Sequence, residues 1–488
     1  MKRLGSIFAL AAGAVLALSS TAYAAGTVLA SGPSPYAGCT SDAGTGTNYL
    51  NAEEEPQVAV NPANSGNIIA AWQQDRWSNG GAHGLVAGFS FDGGQTFGET
   101  TLPFSNCAPG GLNFNRASDP WVSIGPDGTA YANAISFEAV DNRNAVTAAT
   151  STDGGVTWGN ARAIVDYETN GGQFSTDKNS ITANPVQKGV AYSTWDTLIA
   201  ATDKPDDHPH TAAYTGPAFF SRTVNGGKSW STPQVIFPNG ERNQTIGNII
   251  VVDPRNGGNT LYDVTDWITQ PNGLANTQET AAIVKSTDGG TTWGAPVAIA
   301  QMQTVGVHDP NTGQLIRVGD GVPSAAIDSS TGQLYVVWEQ ASNFKRGNAK
   351  TNDDQVVIST STDGGSTWST PMQLNTFTGL PAFTPTVAVN SAGTVAVTYY
   401  DFRNLTATNT TTLPTDYWFT SSPAGGAAFG NEQHLAGPFD MLTAPFARGF
   451  FVGDYQGLVS SGTRFVSCFV QANSGNLSNR TDVFVAVV

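Results

Sequence analysis

Ser286-Thr-Asp-Gly-Gly-Thr-Thr-Trp293 recurs along the chain. Ser151 to Trp158 reads STDGGVTW, Ser361 to Trp368 STDGGSTW, Ser90 to Phe97 SFDGGQTF and Thr223 to Trp230 TVNGGKSW. A worn copy, SPAGGAAF, runs from Ser422 to Phe429. The third positions, Asp92, Asp153, Asn225, Asp288, Asp363 and Ala424, lie 61, 72, 63, 75 and 61 residues apart. A near-regular period of this size marks a repeat architecture. In each copy a short Asp or Asn side chain accepts hydrogen bonds from the backbone just ahead of it and closes a turn. The Gly-Gly pair supplies backbone angles that other residues avoid. The final aromatic is a body to bury between neighbouring units. Asn225 keeps the acceptor and loses the charge, so the position reads as a turn closer and not as a metal ligand.

Around these boxes the chain falls into seven similar units. Each has an alternating apolar strand, an Asn/Pro/Gly turn and a return strand, as in Gln57 to Gln73, Trp121 to Ser136 and Pro385 to Asp401. Period-2 alternation with such turns predicts antiparallel strands. In the first six units a third strand then runs into a box or its remnant. Four strands per unit make a propeller blade. The seventh unit ends one strand short at Asp482-VFVAVV, and Thr27 to Ser31 is the strand expected to complete it.

The repeated S-x-D-x-G-x-T-W motif resembles the Asp-box, or BNR, signature of the sialidase superfamily. The resemblance covers nearly the whole chain after residue 24 and implies an all-β, Asp-box β-propeller. The unit count makes it seven-bladed, with the ring closed by the N-terminal strand. Sialidases have six blades, and six remains the alternative if the seventh unit is a closing extension. Asp boxes also occur in propellers of other function, so the motif speaks for fold and not for chemistry.

Residues 1–24 read as a signal peptide. Lys2 and Arg3 precede the apolar run Ile7 to Leu18, and Ala22-Tyr23-Ala24 is a small-x-small cleavage site. Residues 25–488 are expected to form one propeller domain, secreted or periplasmic, and no later stretch is long and apolar enough for a membrane span. With Lys+Arg 22 and Asp+Glu 38 the formal net charge is −16, which argues against nucleic acid as a partner. Cys39 and Cys107 lie in loop-like sequence and are candidates for a disulfide in an exported protein. Cys468, in an apolar run, reads as a buried thiol. Neither a CxxC nor a His/Cys cluster suggests a metal site, and no cofactor is implied. His208-Pro-His210 is the nearest approach to one. Nothing points to oligomerisation, so a monomer is expected.

Blade topology brings first-strand starts and second-strand ends to one rim of the central channel, with the Asp-box turns on the opposite face. Charged residues are 12% of the chain yet gather at these rim positions. The starts offer Glu54, Glu55, Arg116, Asp119, Asp177, Lys178, Arg317, Asp320, Asp454 and Tyr455. The ends offer Asp75, Arg76, Asp196, Asp266, Glu339, Asp401 and Arg403. The structural alternative is that such residues brace neighbouring blades. The sialidase resemblance implies an arginine cluster for a substrate carboxylate, which Arg76, Arg116, Arg317 and Arg403 would supply. It also implies a Tyr nucleophile with a carboxylate partner and an acid: Tyr455, with Glu339 as base and Asp75 or Asp119 as acid. Lys178, Asp401 and Asp454 complete the substrate-binding candidates. The superfamily's (F/Y)-R-I-P motif is absent. A general glycosidase needs only two carboxylates across a sugar groove, and Trp77, Trp267, Trp338 and Tyr400 are candidate stacking platforms. The expectation is a carbohydrate-active enzyme, resembling an exo-sialidase or related glycoside hydrolase, with glycan or polysaccharide as partner. The alternative is a non-catalytic propeller that binds glycan or protein. A weaker third reading is a lyase using Lys178, Arg116 and Tyr455.

Overall fold

Each Asp box folds into the same hydrogen-bonded turn. Asp288 Oδ1 accepts from the backbone N–H of Thr291 and Thr292, both at 2.9 Å, and from Ser286 Oγ at 2.8 Å. Its Oδ2 accepts from Thr292 Oγ1 at 2.6 Å. These bonds favour the ionised carboxyl and hold it down at about 2. In the fifth good copy Asn225 Oδ1 accepts from Ser229 N at 3.0 Å, and its Nδ2 donates to Ser229 Oγ at 2.8 Å. The turn therefore needs the acceptor and not the charge. Gly290 has φ +85, and a Cβ there would lie 2.4 Å from Phe220 of the preceding unit. Trp293 packs edge-on against the same Phe220 at 5.3 Å, so the turn also joins successive units.

A first expectation follows from this geometry. Asp288→Ala leaves two backbone donors and two hydroxyls without their acceptor and should cost about 1–2 kcal/mol in chemical denaturation. Asp288→Asn should cost less than half of that. Equal losses in the two variants would mean that charge, not acceptor geometry, closes the turn.

The structure is a computed structural model that describes residues 26–42, 44–168, 172–204, 214–270, 277–319, 321–341, 353–426 and 428–488. The proposed signal peptide, Asp320, His208 and His210 lie outside the described residues. The chain is almost entirely β. Four antiparallel sheets of four strands follow one another, beginning with Phe174–Ala183, Gln244–Asp253, Ser324–Ile327 and Ala382–Val389. Two earlier four-stranded units, beginning with Asn48–Val60 and Arg116–Ile124, are linked by a single pairing of Ala82 with Ala117. The last unit is Gly457–Ser461, Arg464–Ala472 and Thr481–Val487. On its outer edge lies Thr27–Leu29, with Thr27 opposite Ala486. The N-terminal strand thus pairs with the C-terminal one.

The first strands of these seven units line a common central cavity of about 440 Å³. Their starts pair with second-strand ends, as in Asp177 opposite Asp196 and Ala382 opposite Asp401, so both sets share one rim. Between sheets the core is built from second-strand aromatics such as Trp72, Trp195 and Trp338, all fully buried. Tyr400 is buried too, donating to Val470 O at 2.6 Å. Trp338 and Tyr400 are therefore core and not sugar platforms. Cys39 and Cys107 form a disulfide, and Cys468 is a buried free thiol.

One placement differs from the sequence reading. Arg317 does not start the fifth first strand, which begins at Ser324. It lies on a short strand, Leu315–Arg317, that pairs in parallel with Phe450–Phe451. This small added sheet carries Arg317 to the seventh unit, where Asp454 stands.

Candidate functional site

Three first strands carry a bulge at their start. The register shifts lie between Glu54 and Gln57, Ser118 and Trp121, and Asp177 and Ser180. The residue at the bulge has positive φ in each: Glu55 at 53, Asp119 at 54 and Lys178 at 41. The fourth and sixth strands repeat the device with Gly247 and Thr384. A positive φ costs a side-chain-bearing residue on the order of 1–3 kcal/mol, and such strain gathers at functional sites. Here it turns three charged side chains toward one another.

They meet at Lys178 Nζ. Asp454 Oδ2 lies 2.6 Å away, Glu55 Oε1 3.2 Å and Asp119 Oδ2 3.3 Å. Asp454 is also gripped by Arg317, Nη2 to Oδ2 at 2.7 Å and Nε to Oδ1 at 3.2 Å. Arg317 sits over the Phe451 ring at 4.2 Å and Arg76 over the same ring at 5.0 Å. Arg76 pairs with Glu54 at 3.3 Å. Arg448, exposed and with φ 68, stands at the opening, where its guanidinium bonds to no described residue.

The electrostatics separate these acids. Burial would raise Asp454, but Arg317 and Lys178 outweigh it and hold the carboxyl far below the usual range. Burial pushes Glu55 up to about 8, against the pull of Lys178. Asp177 opens to the cleft, yet the protein crowded around it withholds hydration and raises it, with Lys178 opposing. Asp196, its cross-strand partner, is buried and pushed well up, first by burial and then by Asp177. Burial would lower Lys178, and the carboxylates of Asp119, Asp454 and Glu55 more than reverse that.

Glu55 sets a second expectation. Its folded-state value near 8 stands above the 4.5 of the free side chain. Between those values the unfolded chain loses the proton and the folded chain keeps it, so folding is weakened as pH rises from 4.5 to 8. Glu55→Gln removes that dependence. Wild type should therefore lose stability relative to the variant, on the order of a few kcal/mol, between pH 5 and pH 8. Parallel pH–Tm curves for the two proteins would contradict it.

A cleft of about 390 Å³ opens over this cluster, lined by Arg76, Asp119, Arg143, Asp177, Lys178, Arg317 and Arg448 among others. An adjoining pocket of about 360 Å³ shares Asp177, Lys178, Arg317 and Arg448 and reaches Asp454. The structure thus unites Arg76, Asp119, Lys178, Arg317 and Asp454 with Glu55 and Asp177. Sequence reasoning placed Glu55 and Asp177 on the rim without singling them out. It missed Arg448 and Arg143, which sit on connecting segments.

The remaining candidates lie elsewhere. Asp75 is engaged by Ser34 Oγ at 2.6 Å, Asn51 N at 2.8 Å and His83 Nδ1 at 3.2 Å. Arg116 is held by Asp42, by Asn79 and Gly80 O at 2.8 Å, and stacks over Trp77. Arg403 bridges Asp401 at 2.6 Å and Glu432 at 2.8 Å over the Trp418 ring. Glu339 is buried and accepts from Thr384 N at 2.7 Å. Tyr455 lies below the cluster, its ring 5.5 Å from Lys178 Nζ and 5.4 Å from the Trp121 ring. Its acidic surroundings are Glu55, Asp119, Asp454 and Asp177 rather than Glu339 or Asp75, and burial first, then these carboxylates, push its hydroxyl well up. No cluster of three or more metal-ligating side chains occurs among the described residues.

No protein-family profile and no curated protein matches the chain. Solved structures do resemble it. A Dyadobacter fermentans protein of unknown function is 14% identical over 91% of this chain and 96% of its own, at a TM-score of 0.46. The α-L-arabinofuranosidase Arb93A of Fusarium graminearum, in complex with an iminosugar inhibitor, is 12% identical over 91% and 97%, also at 0.46. A Hadza microbial sialidase is 15% identical over 87% of this chain and 74% of its own, at 0.46. These likenesses are of fold alone. At such TM-scores neither substrate nor residue role carries over.

Proposed function

We propose that this protein is an exported glycoside hydrolase of the sialidase-like kind, acting on an anionic sugar in the cleft above Lys178. We read its seven sheets as blades of one ring closed by the N-terminal strand. The observation that carries the hydrolase reading is the opposed behaviour of two carboxyls at one cleft. Asp177 is accessible and has its proton affinity raised by the protein crowded around it, whereas Asp454 is held low by Arg317 and Lys178. Two such groups at one sugar groove divide the roles of proton donor and charge stabiliser. Arg317 and Arg448, with Arg76 behind them on Phe451, suit a substrate carboxylate, because a guanidinium matches it with paired donors. Their gathering in a chain of net charge −16 makes the cleft the place where an acidic sugar is welcome.

The reaction assigned is protonation of the glycosidic oxygen by Asp177 as the bond to the anomeric carbon breaks, after which water adds to that carbon and its released proton returns to Asp177. Asp454 would face the positive charge that develops on the ring. The test is a panel of 4-methylumbelliferyl glycosides, sialic acid and glucuronic acid against neutral arabinofuranoside, with the purified chain. Turnover of an acidic member supports the assignment, and turnover of none removes it. Binding without catalysis is the second reading. It is favoured by Lys178, whose single nitrogen is already engaged by Asp454, Glu55 and Asp119 and so is not free for a reacting group. A glycan array binding screen on a protein inactive against the whole panel would select it.

A further inference from the structure

The central channel is a compartment distinct from the charged cleft. Its wall is apolar, with Val58, Val122, Ile181, Val251, Ile327 and Val387 each on a different first strand. Four polar side chains of these strands are turned to their neighbours. Thr182 Oγ1 donates to Ile250 O at 2.8 Å and Thr386 Oγ1 to Gln456 O at 2.9 Å. Ser123 Oγ accepts from Ala183 N at 2.9 Å and Ser324 Oγ from Val387 N at 3.2 Å. Each of these bonds ties one first strand to the next, so the hydroxyls brace the ring and leave the lumen oily. Val60, Ile249, Ala325 and Val459 on this wall keep part of their surface exposed.

Tyr455 and Trp121 stand where channel and charged cluster meet, and both line the channel. Tyr455 is 7% exposed, and its hydroxyl has no hydrogen-bond partner among the described residues. A buried donor left unpaired is costly, about 1–3 kcal/mol, and asks for an explanation. Burial and the nearby carboxylates keep that hydroxyl protonated, so it offers a proton. A mainly apolar space of about 440 Å³ with two orphan hydroxyls on its wall, Tyr455 Oη and Thr384 Oγ1, has the size and make-up of a small-molecule site.

We propose that the channel binds an elongated apolar molecule bearing one hydrogen-bond acceptor, with its aryl or alkyl body along the Val/Ile wall and its acceptor on Tyr455 Oη. The ligand class is neutral. An anion would meet no cation on this wall and would face the carboxylates of Glu55 and Asp454 beyond Tyr455. The inference does not depend on the hydrolase reading, and a protein inactive on every glycoside could still fill its channel.

The test uses the full chain and a neutral naphthyl ketone, 6-propionyl-2-(dimethylamino)naphthalene, whose emission shifts to the blue in apolar surroundings. One saturable site is expected, with a Kd of about 1–100 μM for a ligand of this size. Ala325→Phe and Val60→Phe fill the channel from two different strands. Each should weaken binding at least about tenfold while circular dichroism and Tm stay near wild type, and either variant suffices if the other fails to fold. Tyr455→Phe keeps the wall and removes the donor, so affinity should fall about fivefold with the emission still blue-shifted. No saturable binding by wild type, or undiminished binding by a folded channel-filled variant, overturns the site. Unchanged affinity in Tyr455→Phe overturns the hydrogen bond.

Discussion

Lys178→Met should remove about 3–5 kcal/mol of folding stability at neutral pH, because it deletes the one cation shared by Glu55, Asp119 and Asp454. All four side chains are at least nine-tenths buried, so water cannot take over the lost role. Methionine keeps most of the stem volume, and the loss is electrostatic rather than a cavity. Arg317 still grips Asp454 and Glu55 keeps its proton through most of the neutral range, so the carboxylate left uncompensated is chiefly Asp119. The sign of the pH dependence follows. The raised Lys178 is charged throughout the neutral range, so in wild type its contribution does not change there. In the variant a carboxyl without its cation takes up a proton at low pH and must give it up as pH rises. The deficit against wild type should therefore widen from pH 5 to pH 8. Adding Glu55→Gln to Lys178→Met should recover part of it by removing one of the stranded acids. Urea unfolding of the three proteins at two pH values is the measurement. A deficit below about 1 kcal/mol, flat with pH, would mean that the cluster is hydrated and that its ion pairs are incidental.

The fold was legible because its signals are local. A box of eight residues carries its own turn chemistry, and alternation at period 2 marks each strand without knowledge of its partner. The pairing of Thr27–Leu29 with the last strand was legible because the seventh unit visibly lacks a strand and Thr27 to Ser31 is the one short strand candidate ahead of the first unit. The rim, too, was readable as a set of positions. Which rim residues converge was not. Convergence depends on the bulges at Glu55, Asp119 and Lys178, which rotate side chains that strict alternation would aim elsewhere. A faint signal was present: Glu55-Pro56, Asp119-Pro120 and Thr384-Pro385 each put a proline just after the bulged residue, where an undisturbed ladder would not accept one. Arg317 and Arg448 were harder. Both ride on segments outside the repeat, joined by the parallel pairing of Leu315–Arg317 with Phe450–Phe451, more than 130 residues away along the chain. Repeat logic has no place for such a contact. Arg116 and Arg403 show the converse, since they occupy expected rim positions and act as braces because Asp42 and Asp401 stand beside them.

On the hydrolase reading, Asp177→Asn should lower kcat on an acidic glycoside by about 10²–10⁴-fold, the usual worth of a positioned general acid. KM should change little, because the asparagine amide fills the same space at the cleft wall and the cations that hold the substrate carboxylate are untouched. The pH profile separates this from a structural defect. A donor is active while protonated, so wild-type activity should fall as pH rises through the raised value of Asp177. The variant should lose that alkaline limb along with its rate. Asp454→Asn should behave differently. It removes a group held ionised across the whole working pH range by Arg317 and Lys178, so it should leave the alkaline limb in place, and it frees two cations that share the cleft with the substrate. That change should tighten binding of an anion while turnover disappears, giving a low KM and a low kcat together. A general acid and a charge stabiliser thus leave opposite marks on KM. A protein in which both substitutions lowered kcat equally, with no change of pH profile, would be one in which the cluster merely holds the ring in shape. A protein that binds acidic glycan equally well with and without Asp177 and never cleaves it would be a receptor built on the same cleft.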